Sequence, residues 1–203
     1  MFDSREYWEK RYSSGDNSGS GSYGRLAQFK ARIINDFCYN HNVSSIVEWG
    51  CGDGNNCKMF TVEKYVGYDV SKTAIEICSS KIKIPNRQFI KYDGEKVHSP
   101  EMGELSLSMD VLYHLIEDEM FDNYMFNLFN SSERYVAIYS FDGELESSMA
   151  SHVKYREHSN YVSRHFPNYR KLKIIENDFK RTEQSDPDTT SWCDFFFYER
   201  IQT

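Results

Sequence analysis

Apolar positions along the chain keep two rhythms. Up to about residue 44 the rhythm is helical. Tyr7, Trp8, Arg11 and Tyr12 fall on one face of a short helix over 3–12, and Leu26, Phe29, Ile33, Ile34 and Phe37 stripe a longer one over 25–41. From residue 45 short apolar runs alternate with helical ones. Runs at 46–49, 65–69, 87–93, 105–112, 135–141, 169–176 and 195–201 read as strands. Between them the spacing predicts a helical turn after Gly54, a helix capped by Ser71 and running to about 81, and helices over 117–130 and 152–165. Alternating strands and helices imply an α/β fold, a mostly parallel sheet with helices on both faces. The last two strands, with no helix between them, imply an antiparallel edge. No internal repeat and no second domain interrupt the pattern, so 1–203 reads as one domain.

The first strand ends in Ile46-Val47-Glu48-Trp49-Gly50-Cys51-Gly52-Asp53-Gly54. Glycines at alternate positions predict a strand turning sharply into a helix, with a backbone bare enough for a ligand to press on. Unpaired amides at the start of that helix are expected to face the ligand. The dinucleotide fingerprint is G-x-G-x-x-G, whereas here the spacing is G-x-G-x-G with Glu48 two positions ahead. Taken alone, such a run is also a structural turn in any α/β protein. The arrangement resembles motif I of the class I S-adenosylmethionine-dependent methyltransferases, E/D-x-G-x-G-x-G. The element order over 45–201 resembles the same family. That likeness implies a Rossmann-like seven-stranded sheet, order 3-2-1-4-5-7-6 with strand 7 antiparallel, and S-adenosylmethionine as cofactor, released as S-adenosylhomocysteine.

In open parallel sheets ligands bind beyond the carboxyl ends of the strands. The first strand brings Glu48, Gly50, Cys51, Gly52 and Gly54 there. The second brings Asp69 and Val70, with Asp69 19 residues after Gly50. A carboxylate at that point either accepts from a ribose hydroxyl pair or caps the next helix. The third ends in Tyr92-Asp93-Gly94. On its own this is a turn, and by the family likeness Asp93 accepts from the adenine amino group. The fourth strand and its exit, from Leu105 to Leu115, resemble the family's motif IV region, with serine at Ser106 where an acid is usual. Asp110 is expected to face the methionine end of the cofactor. Arg25 and Arg11 are candidates for its carboxylate or plain surface charges, and Tyr12 is expected beside it.

His114 follows the fourth strand directly. It reads as a general base, as a pocket residue, or as a histidine packed in a helical turn. Tyr113 is expected to line the acceptor or adenine pocket. His152 and Arg156, four apart, would share one helix face and mark an anionic acceptor, unless they form a solvated surface. The Gly/Ser-rich stretch 13–24 is either a linker or a loop closing over the site, with Tyr23 at its end. With residues 1–44 contributing helices and that lid, the pattern 7–12 followed by 23–26 is similar to bacterial methyltransferases of surface-polysaccharide biosynthesis. This implies a small acceptor, sugar- or phosphate-linked, methylated at oxygen.

Composition narrows the setting. A net charge of −7 argues against general nucleic-acid binding, which needs a basic face. Aromatic residues, 16% of the chain, supply core volume. No apolar run reaches membrane-spanning length, and the polar start excludes an ordinary secretory signal. Five cysteines without a C-x-x-C pair give no support to zinc or a disulfide framework and fit a reducing cytoplasm. No metal is expected. An oxidoreductase using NAD and a non-catalytic cofactor-binding module are the rival readings. Neither acceptor identity nor oligomeric state follows from the sequence.

Overall fold

The computed structural model describes residues 2–143 and 150–201. Among the described residues five α-helices, α1 (Ser4–Ser13), α2 (Gly24–His41), α3 (Lys72–Lys81), α4 (Asp118–Asn130) and α5 (His158–His165), accompany seven strands. These are β1 (Ser45–Trp49), β2 (Lys64–Asp69), β3 (Arg87–Lys91), β4 (Gly103–Met109), β5 (Ser132–Ser140), β6 (Tyr169–Ile175) and β7 (Asp194–Arg200). They form one sheet in the order β3-β2-β1-β4-β5-β7-β6. β7 runs antiparallel to both neighbours and the other pairs are parallel. The predicted sheet is the observed one.

Alternate residues of each strand feed two cores. Ile46, Tyr65, Leu105, Ala137 and Phe197 pack under the stripe of α2, whereas Val47, Val66, Val136, Ile138 and Phe196 pack under α4. This period of two makes both faces of the sheet apolar and puts a helix on each. The serines of β4 do not weaken the second core. Ser106 Oγ lies 3.0 Å from Ser131 Oγ, and Tyr124 donates to Ser108 Oγ at 2.7 Å.

Two predicted helical stretches differ in form. The helical turn expected after Gly54 is a single 3-10 turn (Cys57–Met59) among other turns, and no α-helix opens there. Gly54-Asn55-Asn56 are poor helix formers that favour turns. The helix expected over 152–165 begins only at His158. Residues 152–157 are pulled out of helical geometry by partners across the cleft. Lys154 N–H donates to Tyr113 O at 2.8 Å, and the Arg156 guanidinium donates to Leu115 O at 2.6 Å and Ile116 O at 3.1 Å. His152 and Arg156 therefore share no helix face.

Candidate functional site

The glycine turn sits where β1 and β4 diverge. Gly50 and Gly52 have φ of +75° and +56°, a region that side chains disfavour. A Cβ at Gly50 would lie 2.5 Å from Val111 Cγ2, and one at Gly52 would lie 2.4 Å from Ser18 Oγ. The expectation of free amides fails here. Gly50 and Cys51 N–H both donate to Tyr68 O, Gly52 N–H to Asp69 Oδ2 at 2.9 Å, and Asp53 N–H to Ser18 Oγ at 3.0 Å. A bound molecule therefore meets a bare backbone surface with its donors already engaged.

The acids of this region occupy three different positions. Asp69 lines the cleft, accepting from Gly52 and Ser71 N–H. Burial raises its carboxyl to about 6, against the two hydrogen bonds. Glu48 does not reach the cleft. It lies beneath the turn, 2% exposed, accepting a short hydrogen bond from Tyr65 OH, and burial raises its carboxyl to about 7. Asp93 also lies off the cleft lining. Its carboxylate accepts from Glu95 N–H at 3.1 Å, its carbonyl takes a bond from Arg5, and Gly94 opens onto a separate hollow beside Arg5 and Met120.

The first cleft, roughly 650 Å³, is lined by Tyr12, Gly50, Cys51, Gly52, Asp69 and Val70, among others. Asn56 also lines it, and its Oδ1 is buried without a hydrogen-bond partner. No sequence signal marked Asn56. Helix α1 roofs this space. Glu9 accepts from Ser71 Oγ and Thr73 Oγ1, and Ser4 Oγ donates to Glu117 at 2.6 Å.

A second, wider cleft of roughly 1040 Å³ adjoins the first, sharing Trp8, Ser18, Asp110 and His114 with it. Asp110 takes φ +59° and pairs with Lys30 Nζ at 2.6 Å, while Tyr113 OH donates to its other oxygen at 2.9 Å. Lys30 is wholly buried. Its place in the apolar stripe of α2, between Leu26 and Phe37, was the signal that could have revealed it. His114 Nδ1 lies 3.0 Å from the carbonyl of His152. A carbonyl only accepts, so the proton sits on Nδ1 and Nε2 keeps its lone pair. Burial lowers this imidazole to about 4, so it is neutral across the physiological range. Tyr7, His152 and His114 form a stack with centroid spacings of 4.9 and 5.5 Å. Tyr113, His152, Arg11 and Arg181 also line this cleft.

Three expected residues are elsewhere. Arg25 donates to Thr189 O at 2.6 Å, away from both clefts. Tyr23 OH donates to Asp53 at 2.7 Å and ties the Gly/Ser stretch to the turn. Arg156 is engaged by Leu115 O, Ile116 O and Asp118. In each case a main-chain oxygen or a carboxylate nearer than the cleft satisfies the group. Among the described residues, no group of three or more His, Cys, Asp or Glu could hold a metal ion, and no helix is long and apolar enough to cross a membrane.

Residues 47–126, the stretch from the glycine turn to α4, match the model of the family described as methyltransferase domain. The match covers less than half of the chain and gives it a methyltransferase domain, which supports S-adenosylmethionine-dependent methyl transfer as its activity. Its first cleft fits that cofactor on its own terms, with the glycine backbone, the Asp69 carboxylate and the orphaned Asn56 oxygen on its lining. No curated protein matches the chain in sequence. Among solved structures, the chain is similar to the N-methyltransferase NodS from Bradyrhizobium japonicum WM9 in complex with S-adenosyl-l-homocysteine. The identity is 14% and the TM-score 0.76, over 99% of this chain and 100% of that one. It is also similar to magnesium protoporphyrin IX methyltransferase (ChlM) from Synechocystis PCC 6803 with bound SAM, at 11% identity and TM-score 0.68 over 98% of each chain. A third, an S-adenosylmethionine-dependent methyltransferase from Clostridium acetobutylicum ATCC 824, shares 10% identity at TM-score 0.64 over 97% of each chain. At such identities the likeness is one of fold.

Proposed function

We propose that this methyltransferase acts on an oxygen of a small, polar, anionic acceptor bound in the second cleft. The observation that carries the reading is the seam between the clefts, where His114 and Asp110 belong to both. S-adenosylmethionine, when bound, supplies a methyl group already activated by sulfonium. Tyr12, Gly50, Cys51, Gly52, Asp69, Val70 and Asp110 would hold it, and Asp69 has carboxylate lone pairs left for a ribose. Asn56, whose unpartnered side-chain oxygen is an acceptor, is the polar group available to the cofactor's ammonium. Residues 1–44 act as roof and lid of one domain.

The protein's own part is alignment and water exclusion. His114 Nε2 accepts the proton of a hydroxyl, or simply orients it. So weak a base suits an oxygen that is already acidic. Anionic character is supported by Arg11 and Arg181, because Asp110, the one carboxylate lining the cleft among the described residues, is neutralised by Lys30. A sugar- or phosphate-linked metabolite of surface-polysaccharide assembly meets these demands. Five buried, unbridged thiols support a reducing, cytoplasmic setting.

The test is S-adenosylhomocysteine release with phosphorylated and carboxylated sugars against neutral polyols and amines, with product analysis by NMR. O-methylated anions are expected. An N-methylated product, as the name of NodS would suggest, overturns the oxygen assignment, and a preference for neutral compounds overturns the anionic one. His114→Ala should lower kcat about a hundredfold. The acid limb of kcat/KM in the parent enzyme should fall near pH 4, not at the 6.5 of an ordinary histidine.

A further inference from the structure

We propose that the connection between β6 and β7, residues 176–193, is the acceptor-recognition element, and that Arg181 within it is the ligand for an oxyanion of the acceptor. This rests on reading the second cleft as the acceptor site. The connection lacks regular structure, yet its shape is fixed from several sides. Asn177 is its hub. The side chain donates to Tyr139 OH at 3.0 Å and accepts from Phe179 N–H at 3.0 Å, and its own N–H donates to Asp194 at 2.9 Å. The two arms are stitched together, Arg181 N–H to Ser191 O and Ser191 N–H to Phe179 O, each at 3.0 Å. Arg25 on α2 clamps the tip from outside. It donates to Thr189 O and Oγ1 at 2.6 and 3.1 Å, with its guanidinium 4.5 Å from the Phe179 ring centroid.

Within this frame the cations differ sharply. Lys180 pairs with Asp194, and Arg25 is held by Thr189. Among the described residues the Arg181 side chain forms neither a hydrogen bond nor an ion pair, its Nε is buried without a partner, and it lines the second cleft. Asp186, the acid of the same turn, is already accepting from Asp188 N–H and Thr189 Oγ1, both at 3.0 Å. A buried N–H of a charged group left unmade is costly unless a ligand completes it. A guanidinium matches the paired oxygens of a carboxylate or phosphate. Arg11, on the lining of the same cleft, uses Nε on Asn17 O at 2.7 Å. That leaves its terminal nitrogens for the same anion. A rigid loop that holds one unpartnered arginine against the cleft is preorganised for an oxyanion.

The test uses the full chain saturated with S-adenosylhomocysteine. Inorganic phosphate and acetate are titrated at constant ionic strength against chloride, following thermal unfolding, and cofactor affinity is measured in parallel. Phosphate, acetate or both should raise the melting temperature, and the stronger one identifies the kind of oxyanion. Arg181→Gln should weaken that ligand about tenfold or more while S-adenosylhomocysteine affinity stays within about twofold. Arg181→Lys, which keeps charge but loses the fork, should recover part of the loss. An oxyanion effect of equal size in Arg181→Gln, or no effect of either anion in the parent protein, overturns the inference while leaving the methyltransferase reading intact. Failure of the parent protein to bind S-adenosylhomocysteine would instead overturn the reading on which it rests.

Discussion

The first cleft is walled at its centre by main chain, with glycines at positive φ and amides already bonded within the protein; this backbone wall comes from the single stretch 50–56, although side chains from 8–22, 69–70 and 92–124 complete the lining. The second is walled by side chains from stretches far apart in the chain, including 7–21, 110–114, 152–155 and 181–193. A backbone wall admits one shape and tolerates almost no added atom. A side-chain wall is exchangeable, because each ring or cation can be swapped without moving the sheet. The contrast explains how one fold can keep a cofactor while acceptors differ.

The largest effect expected from this contrast is at Gly50. Gly50→Val combines positive φ with a Cβ contact of 2.5 Å to Val111. It should destabilise the protein by about 3 kcal/mol and abolish S-adenosylhomocysteine binding measured by calorimetry. Retained affinity would mean that the backbone wall is softer than drawn.

Next comes Glu48, which supports that wall from beneath without touching the cleft. Its folded carboxyl, raised to about 7 from 4.5, holds its proton more tightly than in the unfolded chain. Stability therefore falls as pH rises between those values. Glu48→Gln lacks this dependence, so its stability relative to the parent should rise by about 3 kcal/mol from pH 4.5 to 7 in urea titrations. Cofactor affinity should barely move; a large loss would place Glu48 in contact with the cofactor after all.

The smallest effect is expected on the side-chain wall. Trp192 is 37% exposed at the second cleft. Trp192→Ala should raise the acceptor KM about fivefold, roughly 1 kcal/mol, and leave S-adenosylhomocysteine affinity unchanged. Equal losses in both ligands would break the contrast.

The same contrast governs what could be read from sequence. The sheet order and the glycine turn are legible because they are local: strand periodicity, alternate glycines, and Asp69 at the next strand end. Glu48 belonged to the same motif, but its position beneath the turn depends on Tyr65 in the neighbouring strand. His152 and Arg156 kept a helical spacing that tertiary bonds to 113–116 overrode. Arg181 carries no periodic signal at all, because its meaning lies in which partners its neighbours have already taken.

The absent helix after Gly54 has a consequence for the nucleotides this cleft refuses. A pyrophosphate is ordinarily received by the free amides and positive pole of a helix start. Here the chain from Gly50 to Asn55 turns every amide inward and continues into turns, with the Asp69 carboxylate standing beside the gap. A dinucleotide would bring its two negative charges to a wall offering neither pole nor donors. A cofactor whose charge at the reacting centre is positive meets no such barrier. Exclusion by sign thus protects the site from larger nucleotides that share the same adenosine.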